Sequence, residues 1–392
     1  MKKISGIIII IAVYLFAAGS SLIPTTTELP DLFVSADGSR VRTKAQWLSR
    51  REELKEIIMN NEYGHPAPPS PVTVTGTAPD SIINAGNGVV RKRTVKLKTG
   101  PGGAIPFTIN IFLPGKEDGP YPVIIDGDLC WGSLQKRLTP EGLTSLVSRG
   151  YVIVEFDRTE FAPDKNIRTE GVFPLYPDYD WGALAAWAWG FHRTVDFILT
   201  REFADRNRII ITGWSRGGKA CLLAGALDER IALVAPNCSG TCGSGPIRFV
   251  DAGGEKIDDI AARFPYWFNT TFQQFTGEKR FDLPFDQHSL IALVAPRAYL
   301  CTNGLRDTWA DPKGTAQAHQ AALEIFKAYG EESKAGIFYT NSGHDHNIDK
   351  WIALLDFADM VFSGKKPAYD FSKIPFSDLP KAYSWSAPGK FQ

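Results

Sequence analysis

The chain has 392 residues, 44% of them hydrophobic and 22% charged, an ordinary globular composition with ample length for a large core. Lysine plus arginine (43) balances aspartate plus glutamate (43), so the formal charge is zero. A neutral chain without a basic run gives no electrostatic basis for a nucleic-acid partner, and none is expected. Aromatic residues make up 12%, which a large core explains as well as sugar-stacking surfaces do.

Met1-Lys2-Lys3 is a basic start, residues 7–18 form an uninterrupted apolar run, and small residues follow from Ala17 to Ser21. This is the anatomy of a secretory signal, too short for a comfortable membrane span. Residues 1–22 are therefore expected to be a signal peptide. The mature chain is expected to be secreted or periplasmic, with no stable membrane insertion after cleavage.

A helix is predicted over 46–60, followed by a stiff proline-rich connector at 66–71. Strands are predicted at 73–76, 89–97 and 106–113, with a turn at 100–103, as an antiparallel front edge. From Pro122 the texture changes to short apolar strands (123–126, 151–156, 208–212, 231–235, 297–302, 335–339). Helical patterns at 140–149, 180–200, 217–226, 316–329 and 350–362 alternate with them. Such alternation implies a mostly parallel sheet covered on both faces, a three-layer α/β sandwich. Residues 23–392 read as one catalytic domain with an N-terminal extension.

Five cysteines (Cys130, Cys221, Cys238, Cys242, Cys301) are an odd count and imply no disulfide framework, although Cys238 and Cys242 are close enough in sequence to bridge. Neither paired CxxC nor HExxH occurs, so neither a metal nor a cofactor is expected.

Gly213-Trp-Ser215-Arg-Gly217 places GxSxG between a predicted strand and a predicted helix. That turn strains the central residue and projects its side chain, and small flanking residues avoid clashes. Ser215 is the expected nucleophile of an α/β-hydrolase fold, where serine, acid and histidine follow in that order. Ser342-Gly-His344-Asp-His346-Asn347 lies where the fold presents its base; His192 and His288 suit structural roles better. Asp307 follows the preceding strand and is the candidate acid; Asp311, before Pro312, reads as a helix cap. Arg216 and Lys219, one helical turn apart, are open to two readings: solvated helix residues, or cations facing an oxygen-rich ligand.

Gly-Trp-Ser-Arg-Gly-Gly-Lys219 resembles the GCSRxGK signature of the glucuronoyl esterases, carbohydrate esterase family 15. Residues 180–190, Leu283 to His288, Ala295 to Arg297 and Asp307-Thr-Trp309 are similar to the same family. The resemblance implies cleavage of esters between (4-O-methyl-)glucuronic acid side groups of xylan and lignin alcohols, so the implied partner is glucuronoxylan or a lignin–carbohydrate ester. It further implies Arg216 as oxyanion stabiliser, Lys219 as a ligand of sugar hydroxyls, and Trp309 and Glu255 as uronate contacts. It implies His346, the second histidine of its GHxHC pattern, as the base. The cysteines that fungal members pair are here Trp214 and Asn347. The acid that many members carry after the elbow helix is here Cys238, which leaves the role to Asp307. Competing readings are an acetyl xylan esterase or related carbohydrate esterase, and a non-catalytic carbohydrate-binding member of the fold.

Overall fold

A computed structural model describes residues 27–86, 88–116 and 119–391. The expected signal peptide lies outside them, and among the described residues no helix is long and apolar enough to cross a membrane.

The N-terminal extension begins with α1 (Lys44–Ile58), closed at its start by a capping box between Thr43 and Gln46. Four strands follow: β1 (Thr73–Thr77), β2 (Ser81–Ala85), β3 (Gly88–Thr99) and β4 (Ile105–Pro114). Then come β5 (Tyr121–Asp126), α2 (Leu134–Arg137), α3 (Thr139–Val147), β6 (Val152–Phe156), α4 (Ala183–Ile198), β7 (Ala204–Trp214) and α5 (Arg216–Leu227). The chain continues through β8 (Leu233–Asn237), α6 (Ile257–Arg263), α7 (Gln287–Ala292), β9 (Ala298–Gly304), α8 (Pro312–Tyr329), β10 (Ala335–Thr340) and α9 (Ile348–Ser363).

Among the described residues, these ten strands join one sheet in the order β1-β3-β4-β6-β5-β7-β8-β9-β10, with β2 paired to β3 off that path. β1 to β4 pair antiparallel and β4 meets β6 antiparallel; from β6 to β10 every pairing is parallel. The predicted antiparallel edge and parallel centre are thus both present.

β2 went unpredicted because only Ile83 of its five residues is buried, which leaves no alternation to read. Along β5, Val123 and Ile125 enter one core cluster while Ile124 enters the other. Each face of the sheet therefore has its own core. Helices α4, α5, α7 and α8 cover the first face, and α3 and α9 the second. This burial on both faces is why the parallel strands read as continuous apolar runs. The carboxyl ends of β5, β7, β8 and β9 lie side by side, and the residues just beyond them form the site.

Candidate active site

β7 ends at Trp214 and α5 begins at Arg216, so Ser215 is the whole turn. It holds φ +57° and ψ −123°, a conformation costly for a side-chain-bearing residue and maintained only by close packing. Its N–H donates to the Asn237 carbonyl at 2.9 Å. The flanking glycines are there for space. A Cβ at Gly213 would lie 2.4 Å from the Gly217 carbonyl oxygen, and one at Gly217 would lie 2.1 Å from Asp128 Oδ1. Asp128 is buried beneath the turn, where Oδ2 accepts the Trp214 N–H at 2.5 Å and Oδ1 pairs with the buried Arg158.

Asp307 follows β9, as the sequence predicts. Its two oxygens have separate tasks. Oδ1 accepts the Ala310 N–H at 3.2 Å, capping the short turn Thr308–Ala310, and Oδ2 lies 2.7 Å from Nδ1 of His344. Burial alone would raise the Asp307 carboxyl; its bond to His344 and the Cys238 thiol outweigh this and hold it below its usual value. The His344 ring also lies 5.3 Å from the ring of Trp214, the residue before Ser215.

His346, expected as the base, does not meet Asp307. Its ring stacks on Trp351 at 4.9 Å, and its Nδ1 is buried without a hydrogen-bond partner. Burial, with Arg137 and Lys350 nearby, pushes its imidazole well below the usual histidine range. The acids beside it are Asp126 and Asp128, both already paired with arginines. The two histidines, two positions apart, therefore meet different partners. The backbone between them is pinned at Asp345, whose carbonyl accepts from Asn237 Nδ2 (2.8 Å) and Lys350 Nζ (2.7 Å).

Cys238 stands beside the pair formed by Asp307 and His344, with its Sγ 3.2 Å from Lys350 Nζ. Burial pushes its thiol up to about 12, so it is a neutral donor and no substitute for a carboxylate. All five cysteines are free thiols, and Cys238 and Cys242 are not bridged. Asn347 caps α9 by accepting the Lys350 N–H. His192 and His288 bond backbone carbonyls, those of Ala224 and Pro30, as structural histidines do. Asp311 caps α8.

Arg216 reaches back over the turn. Nη1 donates to Asp164 Oδ2 at 2.7 Å, and the guanidinium carbon lies 4.8 Å from the rings of Phe264 and Trp267. Asp164 is itself held by Tyr266 Oη (2.9 Å) and Trp267 Nε1 (3.0 Å). Nε of Arg216 is buried and has no hydrogen-bond partner. Nothing in the sequence marks Asp164 or Asp128, which sit 52 and 86 positions from the groups they hold.

Lys219 is buried. Its Nζ donates to the carbonyls of Ser239 (2.7 Å) and Thr241 and lies 3.5 Å from Glu255 Oε2. It braces the loop after β8, in which Cys238 and Cys242 both have positive φ. The Glu255 N–H donates to the Trp309 carbonyl at 3.0 Å, and the Trp309 ring is 39% exposed. Lys219, Glu255 and Trp309 therefore form one connected wall, and the Asp307 cap ties it to His344.

Among the described residues, two groups of side chains carry ligand atoms close enough to hold a cation: Cys238, Asp307 and His344, and Asp126, Asp128 and His346. In the second, a cation would have to displace the guanidinium groups of Arg137 and Arg158.

Residues 97–330 match the model of the family described as glucuronyl esterase, fungi. A 4-O-methyl-glucuronoyl methylesterase from Hypocrea jecorina is 31% identical, over 84% of this chain and 68% of its own. Among solved structures, a carbohydrate esterase family 15 glucuronoyl esterase from Caldicellulosiruptor kristjansonii superposes with a TM-score of 0.78 and 31% identity, covering 92% of this chain and 97% of that one. A serine-to-alanine variant of the Sporotrichum thermophile glucuronoyl esterase, in complex with methyl 4-O-methyl-β-D-glucopyranuronate, gives 0.70 and 27%, covering 88% and 90%. With a family model over more than half its length and relatives at this identity, the chain belongs to the glucuronoyl esterase family and is a serine-dependent carboxylic ester hydrolase.

Proposed function

We propose that this enzyme is exported and hydrolyses the ester joining a glucuronic acid side group of xylan to a lignin-type alcohol. In this reading Ser215 is nucleophile, His344 base, Asp307 the base's orienting acid and Arg216 the oxyanion stabiliser. The observation that carries it is the 2.7 Å contact between His344 and Asp307, with the imidazole packed against the residue preceding Ser215.

Nδ1 of His344 faces Asp307, which leaves Nε2 to take the Ser215 proton as Oγ bonds to C6 of the uronate. The carbonyl oxygen becomes an anion, to which the guanidinium of Arg216, the residue after the nucleophile, is assigned as the charged donor. Because the ester is neutral and the intermediate anionic, that donor interacts more strongly with the transition state than with the substrate. The C6–O bond to the alcohol then breaks, and the imidazolium returns its proton to the departing oxygen. Water, deprotonated by the same imidazole, cleaves the acyl-enzyme and releases the uronate. The Lys219–Glu255 pair and the Trp309 ring are assigned to the uronate, with Lys219 acting chiefly by holding Glu255.

The test compares kcat/KM for benzyl glucuronate with that for 4-nitrophenyl acetate and acetylated xylan, beside a Ser215→Ala control. Preference for the uronate ester is expected. Acetate release outpacing uronate release would reject the reading in favour of an acetyl esterase.

A further inference from the structure

We infer that Asp164 is a positioning residue that aims the Arg216 guanidinium at the oxyanion. This rests on the oxyanion role proposed for Arg216. A donor aimed in advance at a developing anion needs no reorganisation when the charge appears. Arginine reaches its target on a long stem with many rotamers, so something must select one of them.

The two oxygens of Asp164 divide the work. Oδ2 accepts from Nη1 of Arg216 at 2.7 Å, while Oδ1 accepts from Tyr266 Oη at 2.9 Å and Trp267 Nε1 at 3.0 Å. Burial alone would raise this carboxyl; the charge of Arg216 and these bonds outweigh it and hold the group below its usual value. Asp164 therefore meets the guanidinium as a carboxylate. Because a guanidinium is planar, a bond at one nitrogen together with rings packed on it fixes the direction of its remaining donors. Those rings are Phe264 and Trp267, each 4.8 Å from the guanidinium carbon and stacked on each other at 4.0 Å with 4° between their planes.

Asp164 is itself anchored from two directions. It follows Phe161 and Ala162, which are buried beyond β6, and the Ala162 carbonyl accepts from Trp187 Nε1 of α4 at 2.7 Å. Tyr266 and Trp267 come from the short turn Pro265–Trp267 after α6. Two segments, one after β6 and one after β8, thus converge on a single carboxylate beside the elbow. The pair of Arg216 and Asp164 is partly exposed, with 23% and 18% of the side chains accessible, and such a pair adds little to stability. The three donors gathered on Asp164 are accounted for by the orientation they impose on Arg216.

The test measures kcat and KM on benzyl glucuronate for Asp164→Asn and Tyr266→Phe, each in the wild-type and the Arg216→Ala background and each checked for a cooperative melt. An asparagine side chain keeps one oxygen for Tyr266 and Trp267 and turns an amide NH2 towards Arg216, so it removes the guanidinium bond alone. Asp164→Asn is expected to lower kcat about ten- to a hundredfold with KM within about threefold, and Tyr266→Phe to lower kcat less. In the Arg216→Ala background both should be silent to within about twofold, because the group they position is gone. If Asp164→Asn does not fold, Tyr266→Phe carries the same comparison. Equal losses in both backgrounds would overturn the inference, and so would an Asp164→Asn enzyme with wild-type kcat beside a collapsed Arg216→Ala. An Arg216→Ala enzyme with wild-type kcat would overturn the oxyanion reading, and this inference with it.

Discussion

Asp307 bonds through both oxygens, and this decides what its loss would do. Asp307→Ala removes the carboxylate that orients His344 and also uncaps the turn carrying Trp309. Turnover should fall about three to four orders of magnitude, whereas Cys238→Ala, which removes only a neutral thiol donor, should cost far less. Steady-state kcat on a small glucuronate ester checks both; the reverse ranking would return the acid role to position 238. Arg216→Ala should lower kcat about 10²- to 10³-fold with a smaller effect on KM, because the role proposed for it is exercised once the oxyanion forms. The positions of Ser215, Asp307 and Arg216 at strand ends were legible in the sequence, because each sits at a fixed offset from a predicted strand. The choice between His344 and His346 was not. The two differ by two positions in a loop, and what separates them is the anchoring of Asp345 by Asn237 and Lys350, partners more than a hundred residues and five residues away.

The elbow is an element built against a buried charge. Gly213 and Gly217 could be read from the motif, because a tight strand-to-helix turn leaves no room for a Cβ. Asp128 could not, since nothing in local sequence says that a residue past β5 will accept the Trp214 N–H. Asp128→Ala would leave Arg158 buried without its carboxylate and should destabilise the protein by about 3–5 kcal/mol. Denaturant unfolding measures this, and a loss under about 1 kcal/mol would mean that the pair is not what holds the turn. Alternating buried strands and helices were likewise legible, because burial on both faces leaves an apolar signature. β2 lacked one, as a mostly exposed hairpin strand does.

For the whole molecule, the N-terminal extension must dock on the catalytic sheet, and Glu62 lies in that junction. It is buried beyond α1 and accepts from Gln287 Nε2 of α7 at 3.0 and 2.9 Å. Burial pushes its carboxyl up to about 8, so the folded protein holds a proton that the unfolded chain releases near the ordinary glutamate value. This group's contribution is present below pH 4.5, declines as pH rises and is lost by pH 8, above which it is level. Glu62→Gln cannot ionise, and its amide can donate to the unpartnered Oε1 of Gln287. The difference in Tm, wild type minus variant, should therefore shrink or reverse between pH 5 and pH 8. A constant difference would show that Glu62 does not titrate in this interval. None of this was readable from composition, because a glutamate just past the predicted helix carries no mark of burial.

Which imidazole serves Ser215 is decided by turnover of benzyl glucuronate by His344→Ala and His346→Ala, beside Ser215→Ala. His344→Ala should fall to the level of the serine variant, and His346→Ala should stay within about tenfold of wild type. A His346→Ala enzyme as inactive as Ser215→Ala, with His344→Ala still turning over, would show that His346 is the base.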